Sequence, residues 1–318
     1  MGASAREIHD VLAHTLSAPR MGWSPSGRVG ALLRRPIVGL RGHVRAVSAR
    51  VIGVDPLQVL FEEPRETGGL TPPLAELYGG GLELADDLLY ANLIASVDGV
   101  AALAAPRGAG PTLRGDCDAD RFVMALLRDL SDAVVVGAGT LRADRGHLWT
   151  AAYVDRERAE AHRALGRPDP RLVVVSASGA LDPRERALQA GALVLTTGAG
   201  AARLAGRLPA ACRVRSLGDR PTGGRDVLAA VRAEGHRRVL TEGGPTLLAS
   251  FVADGLLDEL FWTLSPVLAG RRSGDGRLGL LEGVQLLPSD GRWARLRSVR
   301  AAGSHLFLRY RLSRSGAE

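Results

Sequence analysis

The chain has no lysine, only two cysteines, and no apolar run long enough to cross a membrane. Cys117 and Cys212 are far apart and belong to no Cys-x-x-Cys or Cys/His set, so the sequence supports neither a disulfide framework nor a zinc site. A spanning helix needs about 20 predominantly apolar residues, and the N-terminus lacks the basic head, apolar core and small-residue cleavage site of a secretory signal. We therefore expect a globular protein of the reducing cytoplasm, without a metal site and without a membrane segment.

Positive charge is carried by arginine alone and is concentrated at the N-terminus. Residues 1–54 contain eight arginines and two acids, a net charge of +6, whereas the whole chain has a formal charge of +7. Such a segment is typical of a transit peptide, a basic arm for nucleic acid or a poorly ordered extension, and we expect the last of these. Because the rest of the chain is nearly neutral, nucleic acid is not the expected partner.

The sequence divides into an extension, a lead-in and one globular domain. With 318 residues and 46% hydrophobic content, the chain can build a sizeable core. We interpret residues 1–55 as the basic extension, residues 56–87 as a Pro- and Gly-rich linker with one short helix, and residues 88–313 as the domain. Strands are predicted at 88–96, 133–136, 171–176, 193–196, 213–217, 239–240, 258–264, 293–300 and 305–312. With helices between them, they predict an α/β fold with a mostly parallel sheet and a C-terminal antiparallel hairpin.

Two glycine-rich turns each follow a buried strand and lead into a helix. The first contains Gly137, Gly139 and Thr140, and the second reads Glu-Gly-Gly-Pro at residues 242–245. Glycine lets a ligand approach the backbone closely, and the free amides at a helix start attract an anion such as phosphate. A single Gly-Gly-Pro is more often only a tight turn, but two units of one design predict a bound nucleotide with phosphates.

Three charged residues lie where they can serve either a ligand or the fold. Asp98 ends the strand 88–96 in an Asp-Gly turn, and Glu242 follows a strand at the edge where open α/β sheets bind ligands. Arg128 lies on an amphipathic helix predicted at 117–130. The structural alternatives are an Asx turn for Asp98, a carboxylate that balances the helix dipole for Glu242, and a solvated helix face for Arg128.

Four segments in order resemble a known family over residues 88–312. They read NLIASVDGVAAL, LLRDLSDAVVVGAGTLRAD, TEGGPTLLASFVADGLLDELFWTLSPVLAG and HLFLRYRL. The chain is similar to the riboflavin-biosynthesis pyrimidine reductases, the reductase domain of the bifunctional deaminase-reductase, in a stand-alone form. This resemblance implies a dihydrofolate-reductase-like three-layer sandwich, NADPH as cofactor and a homodimer. It also implies reduction of 5-amino-6-(5-phosphoribosylamino)uracil or a related ribosyl substrate, with hydride delivered to the ribose C1.

The resemblance assigns roles by position. The residues implied at the cofactor are Gly137, Gly139, Thr140, Asp144, Ser176, Gly243, Gly244, Pro245, Thr246 and Leu247, with Ser178 as an alternative to Ser176 near the adenosine 2′-phosphate. The residues implied at the substrate are Asn92, Ser96, Arg128 and Leu148. Asp98 or Glu242 is the expected proton donor, provided that burial raises its pKa.

Two departures from the family pattern bear on the substrate. Val100 stands where the family carries a basic residue, and Ala151 stands where it carries the arginine for the ribose phosphate. Either the substrate lacks that phosphate, or Arg145 or Arg156 replaces the missing cation. The zinc signature of the partner deaminase is absent before residue 88.

Other functions remain open on the sequence alone. The first is an NADPH-dependent reductase of another heterocycle in specialised metabolism, and the second is a reductase of a dihydrofolate-like pterin. The third is a non-catalytic protein that senses a nucleotide or binds nucleic acid through its basic N-terminus, which predicts salt-sensitive binding.

Overall fold

The computed structural model describes residues 55–103, 109–219, 223–272, 274 and 276–313. The predicted basic extension at residues 1–54 lies outside this part of the chain. The strands are β1 (Gln58–Glu62), β2 (Leu88–Ser96), β3 (Ala133–Gly137), β4 (Arg171–Ser176), β5 (Leu193–Thr196), β6 (Arg213–Ser216), β7 (Arg238–Thr241), β8 (Glu259–Ser265), β9 (Ala294–Ala302) and β10 (His305–Leu312). All ten belong to one sheet, in the order β1-β9-β10-β8-β2-β7-β3-β4-β5-β6.

Helices connect the strands on both faces of the sheet. They are α1 (Pro72–Tyr78), α2 (Ala109–Arg114), α3 (Asp118–Asp129), α4 (Ala138–Ala143), α5 (Ala151–Val154), α6 (Ala159–Arg163), α7 (Arg186–Gln189), α8 (Gly198–Leu204), α9 (Gly224–Ala233) and α10 (Pro245–Ala253), with a 3-10 turn at Arg156–Arg158. No helix in the described part of the chain is long and apolar enough to span a membrane.

The sheet is parallel from β8 through β6 and antiparallel at the other side. Strands β8, β2, β7, β3, β4, β5 and β6 run in one direction, whereas β10 and β9 form a hairpin and β1 pairs antiparallel with β9. The predicted mostly parallel mixed sheet with a C-terminal hairpin is therefore confirmed. Strands β3 and β7 lie in the middle, and their apolar residues are almost wholly buried, as expected for parallel strands covered on both faces.

Alternate residues of each central strand pack into opposite layers, which makes the fold a three-layer sandwich. On one face, Val134 and Val136 of β3 join a core with Phe122 and Leu126 of α3. On the other face, the neighbouring β3 residues join a second core built with α9 and α10. Helix α3 fits the first layer because its apolar residues recur at helical spacing, and its first turn is acidic, which suits the helix dipole.

The lead-in segment differs from the expected linker. Leu57, Leu74 and Tyr78 are buried in the first core, and β1 pairs with β9 across the edge of the sheet. Helix α2 lies between β2 and α3, where no regular element is predicted from the sequence. The predicted strand at 258–264 is internal in the sheet, because β8 pairs with both β2 and β10.

Candidate active site

A cavity of about 1100 Å³ opens at the carboxyl ends of the central parallel strands. Strands β3, β4 and β7 contribute their last residues or the turn that follows, because parallel strands end at the same edge of a sheet, and β2 contributes Asn92, Leu93 and Ile94. The predicted site residues that line the cavity are Asn92, Arg128, Gly137, Gly139, Thr140, Asp144, Ser176, Ser178, Glu242, Gly243, Gly244, Pro245, Thr246 and Leu247. The volume exceeds that of a typical single-ligand pocket, so the cavity has room for a nucleotide cofactor and a second molecule.

The two glycine turns meet in this cavity. The backbone N–H of Gly244 donates to Thr140 Oγ1 at 3.1 Å, which ties the turn after β7 to the turn after β3. Helix α10 begins at Pro245 with no side-chain cap. A Cβ atom on Gly139 would meet nothing within 4 Å, and one on Gly244 would meet only Thr140 Oγ1, at 3.6 Å. The open space in front of both glycines fits a phosphate group that approaches the backbone.

Arg128 and Glu242 form a bidentate ion pair on the cavity wall. The Nε–Oε1 and Nη2–Oε2 distances are 2.9 and 2.6 Å, and the two side chains are 1% and 9% exposed. Arg128 Nη1 also donates to the carbonyl oxygen of Leu148 at 3.3 Å. The alternative of a solvated helix face is therefore wrong for Arg128. A planar guanidinium suits this position, since it grips both carboxylate oxygens at once.

Two further titratable groups beside this pair have shifted pKa values. Burial and the Arg128 guanidinium lower the pKa of His147 to about 3, so the imidazole is neutral and its Nε2 accepts a hydrogen bond from Arg128 Nη2 at 3.1 Å. The ring also packs edge-on against Trp149 and Tyr153. Burial, and then the negative charge of Glu242, raise the pKa of Asp144. Asp144 is therefore a cavity carboxyl whose environment favours the protonated form.

Ser96, Asp98 and Leu148 are not among the residues that line the cavity. Asp98 is exposed, and it accepts hydrogen bonds from the Ser96 hydroxyl at 2.5 Å and from the backbone N–H groups of Ala269 and Gly270 at 3.0 and 2.6 Å. These bonds, the Ser96 hydroxyl first, lower the pKa of Asp98 to about 2. A proton donor needs the opposite shift, so Asp98 holds two loops together and we do not assign it a catalytic role.

Ala151 and the two arginines considered as its replacements lie in different surroundings. Ala151 is 1% exposed and packs against Ala125 and Val154, away from the cavity. Arg145 is 73% exposed and lies near Glu185, and it does not line the cavity either. Arg156 does line it. Position 151 therefore offers a ligand nothing, whereas Arg156 is available.

Several residues of the cavity wall are not among those predicted from the sequence. They are Arg114, Asp120, Arg121, Met124, Arg142, His147, Trp149 and Tyr153. For Asp120 and Met124 a signal existed, because they precede Arg128 by eight and four residues on a predicted helix and so share its face. Arg121 also lies on α3, and the others come from α2, α4, α5 and the irregular stretch between α4 and α5, where no periodicity points to the cavity.

A family model described as the RibD C-terminal domain matches residues 88–302. The chain belongs to the RibD C-terminal domain family. This confirms the resemblance drawn from the four segments. Among curated proteins, the chain is 27% identical over 186 residues to a 2,5-diamino-6-ribosylamino-4(3H)-pyrimidinone 5′-phosphate reductase of Archaeoglobus fulgidus, a match that covers 58% of this chain and 82% of that protein.

Solved structures of RibD C-terminal relatives share the fold. A pyrimidine reductase-like protein from Corynebacterium diphtheriae matches 76% of this chain and 99% of its own, with a TM-score of 0.57 and 23% identity. A bifunctional deaminase and 5-amino-6-(5-phosphoribosylamino)uracil reductase from Thermotoga maritima matches with a TM-score of 0.52 and 19% identity, over 72% of this chain but 57% of its own. The dihydrofolate-reductase-like architecture of pyrimidine reductases is thus confirmed for this chain.

Proposed function

We propose that the protein is an NADPH-dependent reductase of a phosphorylated ribosylamino-pyrimidine, acting in riboflavin biosynthesis. The observation that carries this proposal is the joining of the two glycine turns, through Gly244 and Thr140, inside a cavity that also holds the Arg128–Glu242 pair. Membership of the RibD C-terminal family supports it, as does the named reductase activity of the Archaeoglobus fulgidus relative. A nicotinamide cofactor follows from the reductase family, and NADPH is our finer assignment.

The cofactor would lie across the ends of β4, β3 and β7. Its pyrophosphate fits the open space before Gly139 and Gly244 at the uncapped start of α10. At the β4 end, the wall is formed by Ser176, Ser178 and the exposed side chain of Arg142. An acidic residue commonly binds the free 2′-hydroxyl of NADH, whereas arginine accommodates the 2′-phosphate of NADPH. The presence of Arg142 and two hydroxyls therefore favours NADPH.

The acceptor would occupy the other side of the cavity, where Arg114, Arg121 and Arg156 line the wall. Within the described part of the chain, the guanidinium of Arg114 makes no hydrogen bond or ion pair. That of Arg121 makes one hydrogen bond there, from Nε to the Val154 carbonyl oxygen at 2.9 Å. Unused N–H donors of guanidinium groups bind phosphate strongly. Of the three, Arg156 packs on Tyr153, whose ring contacts His147 beside the Arg128–Glu242 pair, so we propose that Arg156 supplies the cation that position 151 lacks, for an acceptor that carries a phosphate.

The chemistry needs a hydride for the ribose C1 and a proton for the ring oxygen that leaves C1 as the sugar opens. Bound NADPH would supply the hydride. The Arg128–Glu242 pair, fixed by the bond to His147, offers a rigid polar edge on which sugar hydroxyls can be oriented. We propose Asp144 as the proton donor, because its raised pKa favours the acid form and it lies beside that edge. Glu242 then acts by positioning rather than by proton transfer.

The test is NADPH binding and oxidation by the purified protein, followed by absorbance, with the phosphorylated ribosylamino-pyrimidines as acceptors. Gly244→Ala is the matched variant. Since its Cβ has room in the folded chain, the thermal midpoint should stay the same while NADPH affinity falls by about tenfold or more, because the methyl group occupies the phosphate position. Equal NADPH affinity in both proteins would refute this cofactor placement. Tight NADPH binding without turnover would refute the acceptor.

A further inference from the structure

Asp120 is a buried carboxyl group on the cavity wall that the reductase mechanism above does not use. It lies in the first turn of α3 and lines the cavity together with Met124 and Arg128, at intervals of four residues along one helix face. The residue is only 4% exposed, and its Oδ2 has no hydrogen-bond partner among the described residues. An unsatisfied buried acceptor is rare and costly, so it calls for an explanation.

The residues around Asp120 use only part of its capacity to accept hydrogen bonds. The Thr263 hydroxyl of β8 is its side-chain partner, and Thr263 pairs in register with Ile94 of β2, which also lines the cavity. Burial raises the pKa of Asp120, and the negative charge of Glu242 after β7 raises it further. The Thr263 hydroxyl, Arg114 of α2 and His305 of β10 lower this pKa. No ion pair joins Asp120 to any described residue. A structural salt bridge is therefore not the reason for this carboxyl.

Because burial raises the pKa of an unpaired Asp120, its charged form needs donors that replace the lost water, and two adjacent N–H donors do this best. Arginine offers such a pair to carboxylates, and so does a heterocycle in which a ring N–H lies next to a carbon that carries an amino group. A pyrimidine with an oxo group at that carbon presents an acceptor there instead, which would face the carboxylate lone pairs. The broad χ2 torsion of aspartate lets its carboxyl group turn toward such an edge. Ile94 and Met124 supply apolar wall for the faces of a flat ring.

We propose that Asp120 binds the ring N–H and the 2-amino group of a 2-amino-4-oxopyrimidine, so that the enzyme selects an acceptor that still carries its 2-amino group over the corresponding uracil. This inference rests on the proposed function and specifies its substrate class. The dimensions agree with it, since Asp120 lies two helical turns, about 12 Å, from Arg128. That span leaves room for a pyrimidine at Asp120 and its ribose at the Arg128–Glu242 pair.

The test compares two ring probes that differ only at C2, 2,5,6-triaminopyrimidin-4-one and 5,6-diaminouracil. Binding is measured by ligand-observed NMR on the full-length protein, with and without NADPH. We expect the triamino ring to bind the wild type at least about tenfold more tightly, because the uracil leaves a buried acceptor unpaired. In Asp120→Asn, the amide offers one donor and one acceptor, so the preference should reverse toward the uracil. Asp118→Asn, an exposed change in the same helical turn, should keep the wild-type preference.

Each outcome decides the proposal. Equal binding of the two rings, a wild-type preference for the uracil, binding of neither ring, or an Asp120→Asn variant that loses stability but keeps the preference would overturn it. The failure of the proposed function has a different signature. A protein that prefers the triamino ring through Asp120 but neither binds NADPH nor oxidises it would retain this ring-binding site and lose the reductase assignment.

Discussion

The buried histidine behind the cavity allows a sharp test of stability against pH. His162 of α6 has its two ring nitrogens against carboxylates, Nδ1 against Asp129 and Nε2 at 3.0 Å from Oδ2 of Asp155. Carboxylates only accept, so both nitrogens must donate, and the ring must be an imidazolium. Burial alone would lower the pKa of His162, but the bonds to Asp129 and Asp155 outweigh it and raise the pKa from 6.5 to about 9.

The size and sign of the effect follow from this shift. A rise from 6.5 to about 9 corresponds to about 3 kcal/mol of unfolding free energy. Because the folded-state pKa is the higher one, this stabilisation is fully present below pH 6.5 and is lost as the pH rises through about 9. Above that pH a neutral ring leaves one carboxylate facing a nitrogen lone pair.

The assay is urea unfolding of the wild type and of His162→Phe at about pH 6 and about pH 10. We expect the wild type to lose about 3 kcal/mol more than the variant between the two conditions. His236→Asn, a change outside this network, is the matched control and should follow the wild type. If His162→Phe does not fold, the ¹⁵N shifts of the wild-type ring answer the same question. A neutral His162 ring at neutral pH, or identical pH dependence in variant and wild type, would refute the reasoning.

Three other changes test the site and the assembly. Arg128→Ala should cost about 3 to 5 kcal/mol of stability, because it leaves Glu242 buried and unpaired, and the double variant Arg128→Met/Glu242→Gln should regain most of that loss in a thermal melt without regaining turnover. Arg142→Gln should weaken NADPH binding by about tenfold or more and leave NADH binding unchanged. The control Arg145→Gln, which lies outside the cavity wall, should change the affinity for neither cofactor. Equal losses of NADPH and NADH affinity in Arg142→Gln would contradict the 2′-phosphate assignment. Leu60→Asp on the exposed edge strand β1 should convert the predicted homodimer to a monomer by light scattering, and a wild-type monomer would remove that prediction altogether.

The sequence predicted those parts of the fold whose local pattern agrees with their burial. The bounds of β2, β4, β5 and β10 match the predicted ranges, since buried apolar runs between turn residues mark a strand directly. Strand β1 was missed because three of its apolar residues, Val59, Leu60 and Phe61, are exposed, and it is a strand only through pairing with β9, far along the chain. Non-local pairing of this kind leaves no local signal.

In the candidate site as well, residues marked by a local sequence pattern were predicted, whereas roles that depend on distant neighbours were not. The glycine turns were found from sequence, because glycine and proline at a strand-to-helix turn have a local meaning. Asp98 was a predicted proton donor, but the backbone N–H groups of Ala269 and Gly270 donate hydrogen bonds that stabilise its charged form. These two residues lie more than 170 positions further along the chain. The pKa of a carboxyl depends on such distant neighbours, so residue type and position in a turn could not decide its role.

The buried charges behind the cavity are best understood as positioning devices. Asp155 lies between Val154 and Arg156, which both line the cavity, and it accepts hydrogen bonds from His162 at 3.0 Å and from Arg158 Nε at 2.6 Å. The attraction between these charges offsets the cost of burying them, but apolar residues of similar volume would hold a short helical segment at least as well. This network of charges does fix the direction of the chain at Asp155, and hence the place of the Arg156 guanidinium at the acceptor side. A cavity that recognises a phosphate needs that cation held in place before the ligand arrives, because ordering a long side chain on binding would weaken the interaction.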